Sequence, residues 1–431
     1  MRIVIVGGGA GGLELACKLG RKLGSDQVTL VDNKLFHIWK PSLHEVAAGT
    51  LDIHQEGLSY EMLAHDNGFE FEYGPMQSLD EARCCITVGE FLGEDGELIL
   101  PRRELSYDHL VIAVGSTANH FGVPGAAEHS ISLNGPADAE RFRLRMLKLL
   151  TRAELQKQAG ETRGVDIVII GGGATGVELA AELREAGAVH ARYGFRRLDP
   201  NLDVRITLIE GSPRILEPLP EKVSAAAARL LRERHVSLRT SCRVVAITSD
   251  AVETSDGRRQ QADIVVWAAG IQPPALVKSL GLPLSRGNQI IVNTRLEVEG
   301  HAGLYALGDC AACPAGSDGK LVPPRAQAAH QQADYLYERL LRLARGEAPG
   351  ASTYRYQDHG SLVSLGTSTS VGNLMGNLFK ASWFVEGLFA RTMYVSLHLM
   401  HHRAVLGVMR TGVLAVARFL VKRARPLVKL H

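Results

Sequence analysis

Two glycine-rich segments of this 431-residue chain have the spacing needed to bind a phosphate group. In each segment the first glycine permits a tight turn from strand to helix, and the second lets a pyrophosphate approach the backbone. The third lets the helix pack close to the strand, and the helix N-terminus then presents free N–H groups to the phosphates. The glycines are Gly7, Gly9 and Gly12 in the first segment, and Gly171, Gly173 and Gly176 in the second.

An acidic residue follows each glycine segment, at the end of a second run of β-branched residues. Asp32 lies twenty residues beyond Gly12, and Glu210 has the corresponding place in the second segment. Glu210 lies further along the chain from its glycine segment than Asp32 does, because residues 189–203 have the pattern of an inserted loop. A carboxylate at this place accepts hydrogen bonds from ribose hydroxyls and repels a 2′-phosphate, so Glu210 favours NADH over NADPH.

Two dinucleotide sites in one chain favour hydride transfer between two dinucleotides. One site would hold a tightly but non-covalently bound flavin, FAD, and the other an exchangeable nicotinamide, NADH. Hydride transfer requires that the two rings be positioned against each other, and it needs no acid, base or metal from the protein. The sequence therefore predicts no catalytic triad and no metal site.

The glycine segments belong to an internal repeat that must position them. Residues 3–19 read IVIVGGGAGGLELACKL and residues 167–183 read IVIIGGGATGVELAAEL. Each copy begins as a buried parallel strand and continues as a helix. Residues 107–116 and 262–271 are predicted strands that close the two dinucleotide domains. These patterns predict an α/β fold with two Rossmann-like dinucleotide-binding domains and a C-terminal membrane-associating module.

The segment GLYALGDC at residues 303–310 ends a predicted strand at Asp309, where an acid can bind the ribityl chain of a flavin. Cys310 and Cys313 follow as a C-x-x-C pair. A redox disulfide is one interpretation, but the pair follows a flavin-binding acid instead of an early flavin strand, so a structural or incidental role is favoured. The histidines His398, His401 and His402 are expected at an interface or in solvent, and not as metal ligands.

Composition excludes several classes of protein. The hydrophobic content of 45% and charged content of 22% are typical of a folded chain, and the net charge of +2 gives no support to nucleic-acid binding. The six cysteines are too scattered for a disulfide framework, which favours a reducing compartment. The N-terminus does not have the pattern of a signal peptide. Residues 359–379 are free of charge but rich in glycine and hydroxyl residues, which predicts strands and turns.

The C-terminal residues have one-sided charge and helical apolar spacing. The last acid is Glu386, and eight basic residues follow it. Such an amphipathic basic helix would lie in a membrane interface. A helix packed on the protein's own surface, or at a dimer interface, is the alternative. Removing residues from about 390 is expected to abolish membrane binding and spare NADH oxidation. The predicted apolar stripe is Leu406, Met409, Val413, Val416 and Leu420, and the basic residues are Arg391, Arg403, Arg410, Arg418, Lys422, Arg423, Arg425 and Lys429.

Taken in order, these motifs resemble the glutathione-reductase-like flavoproteins with two dinucleotide domains. Within them the chain is similar to the type II NADH:quinone oxidoreductases, the single-subunit respiratory NADH dehydrogenases of bacteria. The segments that carry this likeness are HIWKPSLHE at 37–45, GDCAAC at 308–313, VPPRAQAAHQ at 322–331 and the C-terminal run 359–431, together with the second glycine segment.

The resemblance implies a division of the chain and a set of functional residues. The FAD domain would comprise residues 1–112 and 300–345, the NADH domain 113–299 and the C-terminal module 346–431. Gln327 and Gln331 would lie beside the flavin ring near the quinone, and Glu178 would point toward the nicotinamide. Glu178, Gln327, Gln331 and His330 are candidate proton sources for quinone reduction. For Glu178, a solvated helix acid is the equally weighted alternative.

The predicted cofactor-binding residues follow from the motifs and the resemblance. For FAD they are Gly7, Gly9, Ala10, Gly11, Gly12, Asp32, Lys40, Ala113, Gly115, Asp309, Ala326 and Gln327. For NADH they are Gly171, Gly173, Ala174, Thr175, Gly176, Glu178, Glu210, Ala269 and Gly270. Trp383, Phe384, Leu388 and Phe389 are expected to line the access route of the quinone.

A peripheral protein on the cytoplasmic face of the bacterial inner membrane is expected, and a homodimer is left open. No stretch of the sequence has the pattern of a transmembrane helix, so no proton pumping is expected. A sulfide:quinone oxidoreductase would share the fold, but it uses no NADH, so the second glycine segment with Glu210 speaks against this alternative. A ferredoxin or disulfide reductase leaves the basic tail without a role. A non-catalytic NADH sensor is the alternative outside enzymes.

Overall fold

The computed structural model describes residues 1–93, 95–161, 163–316, 319–366, 370–375 and 382–424. Residues 425–431, with Arg425 and Lys429, lie outside the described residues, and the predicted quinone-route side chains at 383, 384, 388 and 389 are also not described. Within the described part, the strands are β1 (Ile3–Val6), β2 (Val28–Asp32), β3 (Phe36–His37), β4 (Leu58–Ser59), β5 (Glu70–Tyr73), β6 (Met76–Asp80), β7 (Cys85–Val88), β8 (Phe91–Leu92), β9 (Leu98–Leu100), β10 (Arg103–Ser106), β11 (His109–Ile112), β12 (Thr117–Ala118), β13 (Ile131–Ser132), β14 (Val165–Ile170), β15 (Val204–Ile209), β16 (Val236–Arg239), β17 (Val244–Ile247), β18 (Ala251–Thr254), β19 (Arg259–Gln261), β20 (Ile264–Trp267), β21 (Ile271–Gln272), β22 (Ile290–Ile291), β23 (Leu304–Ala306), β24 (Ala311–Ala312), β25 (Gly360–Ser364), β26 (Ser370–Met375) and β27 (Ser382–Gly387).

The helices follow the same order along the chain. Two short 3₁₀ turns, Lys40–Ser42 and Gly308–Cys310, accompany them. The α-helices are α1 (Ala10–Leu23), α2 (Leu43–Ala48), α3 (Ile53–Glu56), α4 (Tyr60–Asn67), α5 (Ala126–His129), α6 (Pro136–Gln158), α7 (Ala174–Tyr193), α8 (Glu221–Glu233), α9 (Leu276–Ser279), α10 (Ala326–Ala344), α11 (Leu388–Leu406) and α12 (Val408–Ala424).

Five parallel strands form the first sheet, in the order β23-β11-β1-β2-β5. The central strand β1 is buried along its whole length, as its β-branched sequence predicts. The edge strand β23 comes from beyond the second sheet, so the chain completes the first sheet only after it has built the second.

The second sheet repeats this arrangement in the order β13-β20-β14-β15-β16, again with parallel pairs. Strands β14, β15 and β20 have the places of β1, β2 and β11, and α7 has that of α1. The predicted α/β fold and its internal repeat are confirmed. The inserted loop predicted for residues 189–203 is wrong in its first part, because α7 continues to Tyr193 through residues that favour a helix.

The C-terminal segment adds an antiparallel sheet, β25-β26-β27, followed by α11 and α12. Strands were predicted here, and the described residues of that segment contain them. Gly407 separates the two helices with a φ of 79°, a conformation that favours glycine. The predicted apolar stripe is therefore divided, since Leu406 ends α11 and the other members lie on α12. Among the described residues no helix has the length and apolar character needed to cross a membrane.

Candidate functional site

The first glycine loop combines close packing with open space. A Cβ atom on Gly7 would lie 2.4 Å from the carbonyl oxygen of Ala113, and one on Gly12 would lie 2.0 Å from the carbonyl oxygen of Gly7. A Cβ atom on Gly9 would meet no atom within 4 Å. Gly9 thus borders free space at the start of α1, whose first residue is Ala10, and this is where the N–H groups of a helix can bind a phosphate.

Asp32 ends β2 beside this loop and is tied to it. Its Oδ2 accepts a hydrogen bond of 2.6 Å from the N–H of Gly8, and its Oδ1 accepts one of 2.9 Å from the N–H of Lys34. Burial raises the pKa of the carboxyl group. The carbonyl of Gly8 is held in turn by the Tyr60 hydroxyl, at 2.7 Å, and by the His37 ring, at 2.9 Å.

The second glycine loop has the same construction. A Cβ atom on Gly173 would meet nothing within 4 Å, whereas one on Gly176 would lie 2.0 Å from the carbonyl oxygen of Gly171. The Oε2 atom of Glu210 accepts a 2.6 Å hydrogen bond from the N–H of Gly172, as Asp32 does in the first loop. The two loops are therefore equivalent cradles, each with an acid fixed at its rim.

The remaining predicted residues of the second site surround this loop. Ala174 and Thr175 open α7, so their N–H groups belong to its free N-terminal turn. Ala269 and Gly270 follow β20, and Gly270 has a φ of 70°. A Cβ atom on Gly270 would lie 2.3 Å from the ring of Phe121, which is 64% exposed and was not predicted from the sequence.

Lys40, Ser116 and Asp309 form a polar cluster at the carboxyl ends of β11 and β23. The Lys40 ammonium donates a 2.7 Å hydrogen bond to the carbonyl of Ser116, whose hydroxyl donates one of 2.6 Å to Asp309. Burial lowers the pKa of Lys40, and the nearby Asp309 carboxylate opposes that effect. Gly115 reaches this cluster with a φ of 67°. The structure thus brings together residues that are far apart in sequence, beside the first glycine loop.

Gln327 and Gln331 lie on α10 and hold the backbone of the segment that leads into β25. The Gln327 amide donates a 3.1 Å hydrogen bond to the carbonyl of Gly360, and the Gln331 amide donates one of 2.8 Å to the carbonyl of Gln357. Ala326 is the first residue of α10. The two glutamines are therefore engaged with the C-terminal module, an interaction that the sequence did not predict.

Glu178 lies at the other end of β25, where three segments of the chain meet. Its Oε1 accepts a 3.0 Å hydrogen bond from the N–H of Ser364, and its Oε2 lies 3.5 Å from Nδ1 of His44. The residue is 6% exposed, and burial raises the pKa of its carboxyl group to about 8. The alternative of a solvated helix acid is wrong. At neutral pH the carboxyl group is mostly protonated and can donate a proton.

Glu14, the equivalent acid in the first repeat, has the opposite electrostatic character. It is buried on α1, but the ring of His401 lies 2.8 Å from it, and His330 also contacts it. Burial would raise the pKa of Glu14, but the hydrogen bonds of the two histidines outweigh burial and lower that pKa to about 2. The two acids at equivalent places of the repeat therefore differ in charge: Glu14 is an ionised carboxylate, and Glu178 is mostly protonated.

His401 connects α11 to the first glycine loop. Its Nε2 lies 2.9 Å from Nε2 of His37, whose other nitrogen contacts the carbonyl of Gly8. His401 and His402 are 3% and 8% exposed, so of the two places expected for the C-terminal histidines, an interface or solvent, solvent is excluded for these two. Their burial depends on contacts between distant parts of the chain, which sequence spacing does not indicate.

Cys310 and Cys313 are both buried free thiols. Burial raises the pKa of each thiol to about 12, so neither is a thiolate at neutral pH. This agrees with the structural role predicted for the pair, because disulfide exchange requires an accessible thiolate.

On helix α12, the described basic side chains pair with acids of the protein, and several apolar side chains are exposed. Arg410 pairs with Asp66, and Arg418 lies 3.6 Å from Glu45 and 3.5 Å from Glu56. The expectation that the basic tail has no opposing charges is therefore wrong for these two arginines. The exposed apolar residues of α12 are Val408, Met409, Val413, Leu414, Val416 and Leu420, which are 45% to 86% exposed.

Comparison with known proteins places this site in a family. Residues 1–333 match the pyridine nucleotide-disulphide oxidoreductase family. The chain is 37% identical to the type II NADH:quinone oxidoreductase of Haemophilus influenzae over 445 residues, which cover 100% of this chain and 99% of that protein. The chain therefore belongs to the pyridine nucleotide-disulphide oxidoreductases, the class that its paired glycine loops define. Within that class it is a member of the type II NADH:quinone oxidoreductase family, as the motifs predicted.

Solved structures agree on the fold. The structure of NDH2 from Plasmodium falciparum in complex with NADH matches with a TM-score of 0.81 at 18% identity, over 100% of this chain and 99% of that one. The sulfide:quinone oxidoreductase of Aquifex aeolicus matches with a TM-score of 0.69 at 20% identity, over 94% and 92% of the two chains. At these identities the likeness concerns the fold alone.

Proposed function

We propose that this protein transfers a hydride from NADH to bound FAD and then passes two electrons to a quinone at a membrane surface, without pumping protons. One observation carries the proposal. The chain contains two equivalent glycine loops, each with open space beside its middle glycine and with a rim acid bonded to its backbone. Membership of the type II NADH:quinone oxidoreductase family supports the same reaction.

The first loop suits FAD. When bound, FAD supplies the ring that accepts a hydride and releases electrons to the next acceptor. The open space at Gly9 accommodates a pyrophosphate, Asp32 faces the ribose, and the Lys40–Ser116–Asp309 cluster offers donors and an acceptor for the ribityl chain and the flavin ring. We assign FAD binding to Gly7, Gly9, Ala10, Gly11, Gly12, Asp32, Lys40, Ala113, Gly115, Asp309, Ala326 and Gln327.

The second loop suits NADH. Its rim acid Glu210 is fixed by the Gly172 N–H, so a carboxylate stands where the 2′-phosphate of NADPH would have to lie. We assign NADH binding to Gly171, Gly173, Ala174, Thr175, Gly176, Glu178, Glu210, Ala269 and Gly270. The matching division of the chain is an FAD domain of residues 1–112 and 300–345, an NADH domain of 113–299 and a C-terminal module of 346–431.

We assign the proton supply of quinone reduction to Glu178, and we assign Gln327 and Gln331, which hold an earlier part of the same C-terminal segment, as polar residues of the quinone site. A carboxyl group whose pKa is about 8 is a suitable general acid near neutral pH. Strand β25 runs from Gly360, bonded to Gln327, to Ser364, bonded to Glu178. This strand therefore connects the proposed acid with the proposed glutamines.

Helix α12 is the proposed membrane contact. Arg410 and Arg418 form ion pairs with the protein, whereas the exposed apolar residues of α12 among the described side chains remain available to a membrane. Burying one side chain of valine or methionine size in an apolar phase contributes about 1.5–3 kcal/mol. We propose peripheral binding at the cytoplasmic face of the bacterial inner membrane.

The truncation that tests this contact should begin at residue 408. Deletion from about 390 would also remove His401 and Val405, which are buried against the first domain. The protein that ends before residue 408 should no longer sediment with anionic lipid vesicles, but it should still oxidise NADH with a soluble acceptor. Retained vesicle binding would contradict the assignment of α12.

An anaerobic single-turnover experiment tests the proposed reaction. NADH should bleach the flavin absorbance of the purified protein, and a short-chain ubiquinone should restore it. If the flavin stays reduced when the quinone is added but is reoxidised by a ferredoxin or a disulfide, then a quinone is not the electron acceptor. If NADH does not bleach the flavin, the hydride transfer itself is wrong.

A further inference from the structure

Three side chains outside the proposed redox site lie together where α3, α11 and α12 meet. Glu56 is the last residue of α3, and His398 and His402 are one turn apart on α11. Each offers one ligand atom, and these atoms lie within 4.8 Å of one another. We propose that Glu56, His398 and His402 bind one divalent transition-metal ion of the zinc type, in competition with the guanidinium of Arg418.

The donor set has the chemistry of such a site. Two imidazole nitrogens and one carboxylate oxygen are ligands that Zn²⁺ accepts, with a fourth position open to water. Mg²⁺ and Ca²⁺ prefer sites made of oxygen ligands, so the histidines select against them. Residues four apart on a helix lie on the same face, and the rings of His398 and His402 lie against each other with their centroids 4.3 Å apart and their planes tilted by 40°.

Hydrogen bonds already orient the two imidazoles as metal ligands. Nδ1 of His402 lies 3.1 Å from the backbone carbonyl of His398, and because a carbonyl can only accept, this nitrogen carries the proton. In a neutral His402 the lone pair is then on Nε2. Nε2 of His398 lies 3.2 Å from the guanidinium of Arg418, which can only donate, so this nitrogen also carries a lone pair. The second nitrogen of His402 is therefore held by a carbonyl group, as is typical of histidines that bind a metal.

Arg418 occupies the place that the metal would take. Its guanidinium lies 3.2 Å from His398 and 3.5 Å from Glu56, and both of these groups are needed as ligands. A metal ion and the guanidinium repel each other, so the metal can bind only when Arg418 withdraws. Glu45, whose carboxylate lies 3.6 Å from Arg418, is the partner that remains for it. Metal binding is thereby coupled to the contact between α12 and the rest of the protein.

Zinc affinity of the full-length, tag-free, FAD-loaded protein tests this proposal. Cys84, the exposed thiol among the described residues, is first replaced by serine so that it cannot compete. Zn²⁺ is then titrated against a chromophoric chelator. We expect one bound zinc, and on the order of a hundredfold weaker binding in His398→Ala and in His402→Ala. His65→Ala, which removes a histidine whose side chain is 89% exposed, is the matched control and should bind zinc like the parent.

The Arg418→Gln variant distinguishes a metal site that competes with Arg418 from a metal site elsewhere on the surface. Removing a positive charge about 4 Å from the ion should tighten zinc binding roughly tenfold or more, even with the screening of water. With Cu²⁺ as a spectroscopic probe, electron paramagnetic resonance should show two coupled nitrogens, and one in His402→Ala. Flavin content and thermal melting confirm that each variant is folded.

Three results would overturn the site. The first is zinc binding by His398→Ala and His402→Ala that equals the parent. The second is zinc binding that does not tighten in Arg418→Gln. The third is the absence of zinc binding in both the parent and Arg418→Gln.

Discussion

The protonated carboxyl of Glu178 sets the pH at which the proposed proton transfer should fail. Burial raises the pKa of this group to about 8. The protonated fraction is then about 91% at pH 7 and about 9% at pH 9. If Glu178 supplies the proton, the rate of flavin reoxidation by quinone should fall roughly tenfold over this range. Because the folded-state pKa is raised, the acid form is present below pH 8 and is lost as the pH rises.

Glu178→Gln removes the acid and keeps the shape of the site. A glutamine oxygen can still accept the hydrogen bond from the Ser364 N–H, but the amide has no proton to give. We expect the reoxidation rate at pH 7 to fall by about a hundredfold, the lower range for loss of a general acid, and its decline between pH 7 and 9 to disappear. At saturating NADH, reduction of the flavin should be changed much less, because hydride transfer requires no proton and a weaker affinity for NADH is then compensated.

A stopped-flow assay measures this directly. The protein is reduced anaerobically with NADH and mixed with a short-chain ubiquinone while the flavin absorbance is recorded from pH 6 to 10. The matched control is Glu182→Gln, which replaces a buried acid one turn further along α7 that accepts a hydrogen bond from Thr50. It should keep the parent profile. If the Glu178→Gln protein reoxidises at the parent rate, with the same decline above pH 8, then Glu178 is not the proton donor.

Three further predictions follow from contacts of the glycine loops and the C-terminal helices. Gly173→Ala should raise the KM for NADH by about tenfold or more and leave the melting temperature unchanged, because the new methyl group enters only open space at the proposed phosphate site. Gly176→Ala should lower the melting temperature, because its Cβ would lie 2.0 Å from a carbonyl oxygen and such overpacking costs about 1–3 kcal/mol. Steady-state kinetics and calorimetry distinguish the two variants. His401→Ala should destabilise the protein by about 1.5–3 kcal/mol, because the buried Glu14 carboxylate loses one of its two histidine hydrogen bonds, and an unchanged thermal midpoint would contradict the contribution of that bond. Val413→Asp should weaken sedimentation with anionic vesicles, whereas Leu155→Asp, a like change at an exposed leucine of α6, should leave it unchanged.

Much of the fold could be predicted because it depends on local patterns. The glycine spacing, the β-branched runs and the acids at the strand ends are short-range features, and each has one physical role in a strand–turn–helix unit. The hydrogen bonds of Asp32 to Gly8 and of Glu210 to Gly172 place both acids beside their loops, where the sequence spacing had put them.

The electrostatics of the site could not be predicted in the same way. Glu14 and Glu178 have equivalent places in the repeat, yet one is held ionised by histidines from α10 and α11 and the other is held protonated by burial under β25. These partners come from other parts of the chain, and no local pattern specifies them. The paired arginines of α12 are a second example, since Arg418 finds Glu45 and Glu56 more than three hundred residues away in sequence.

Steady-state turnover shows whether electrons pass from NADH to a quinone. The FAD-loaded protein should oxidise NADH rapidly with a short-chain ubiquinone, and NADPH should be a poor donor because Glu210 opposes its 2′-phosphate. Equal turnover with NADPH would contradict the role of Glu210. Flavin that NADH reduces but that no quinone reoxidises would contradict the account itself.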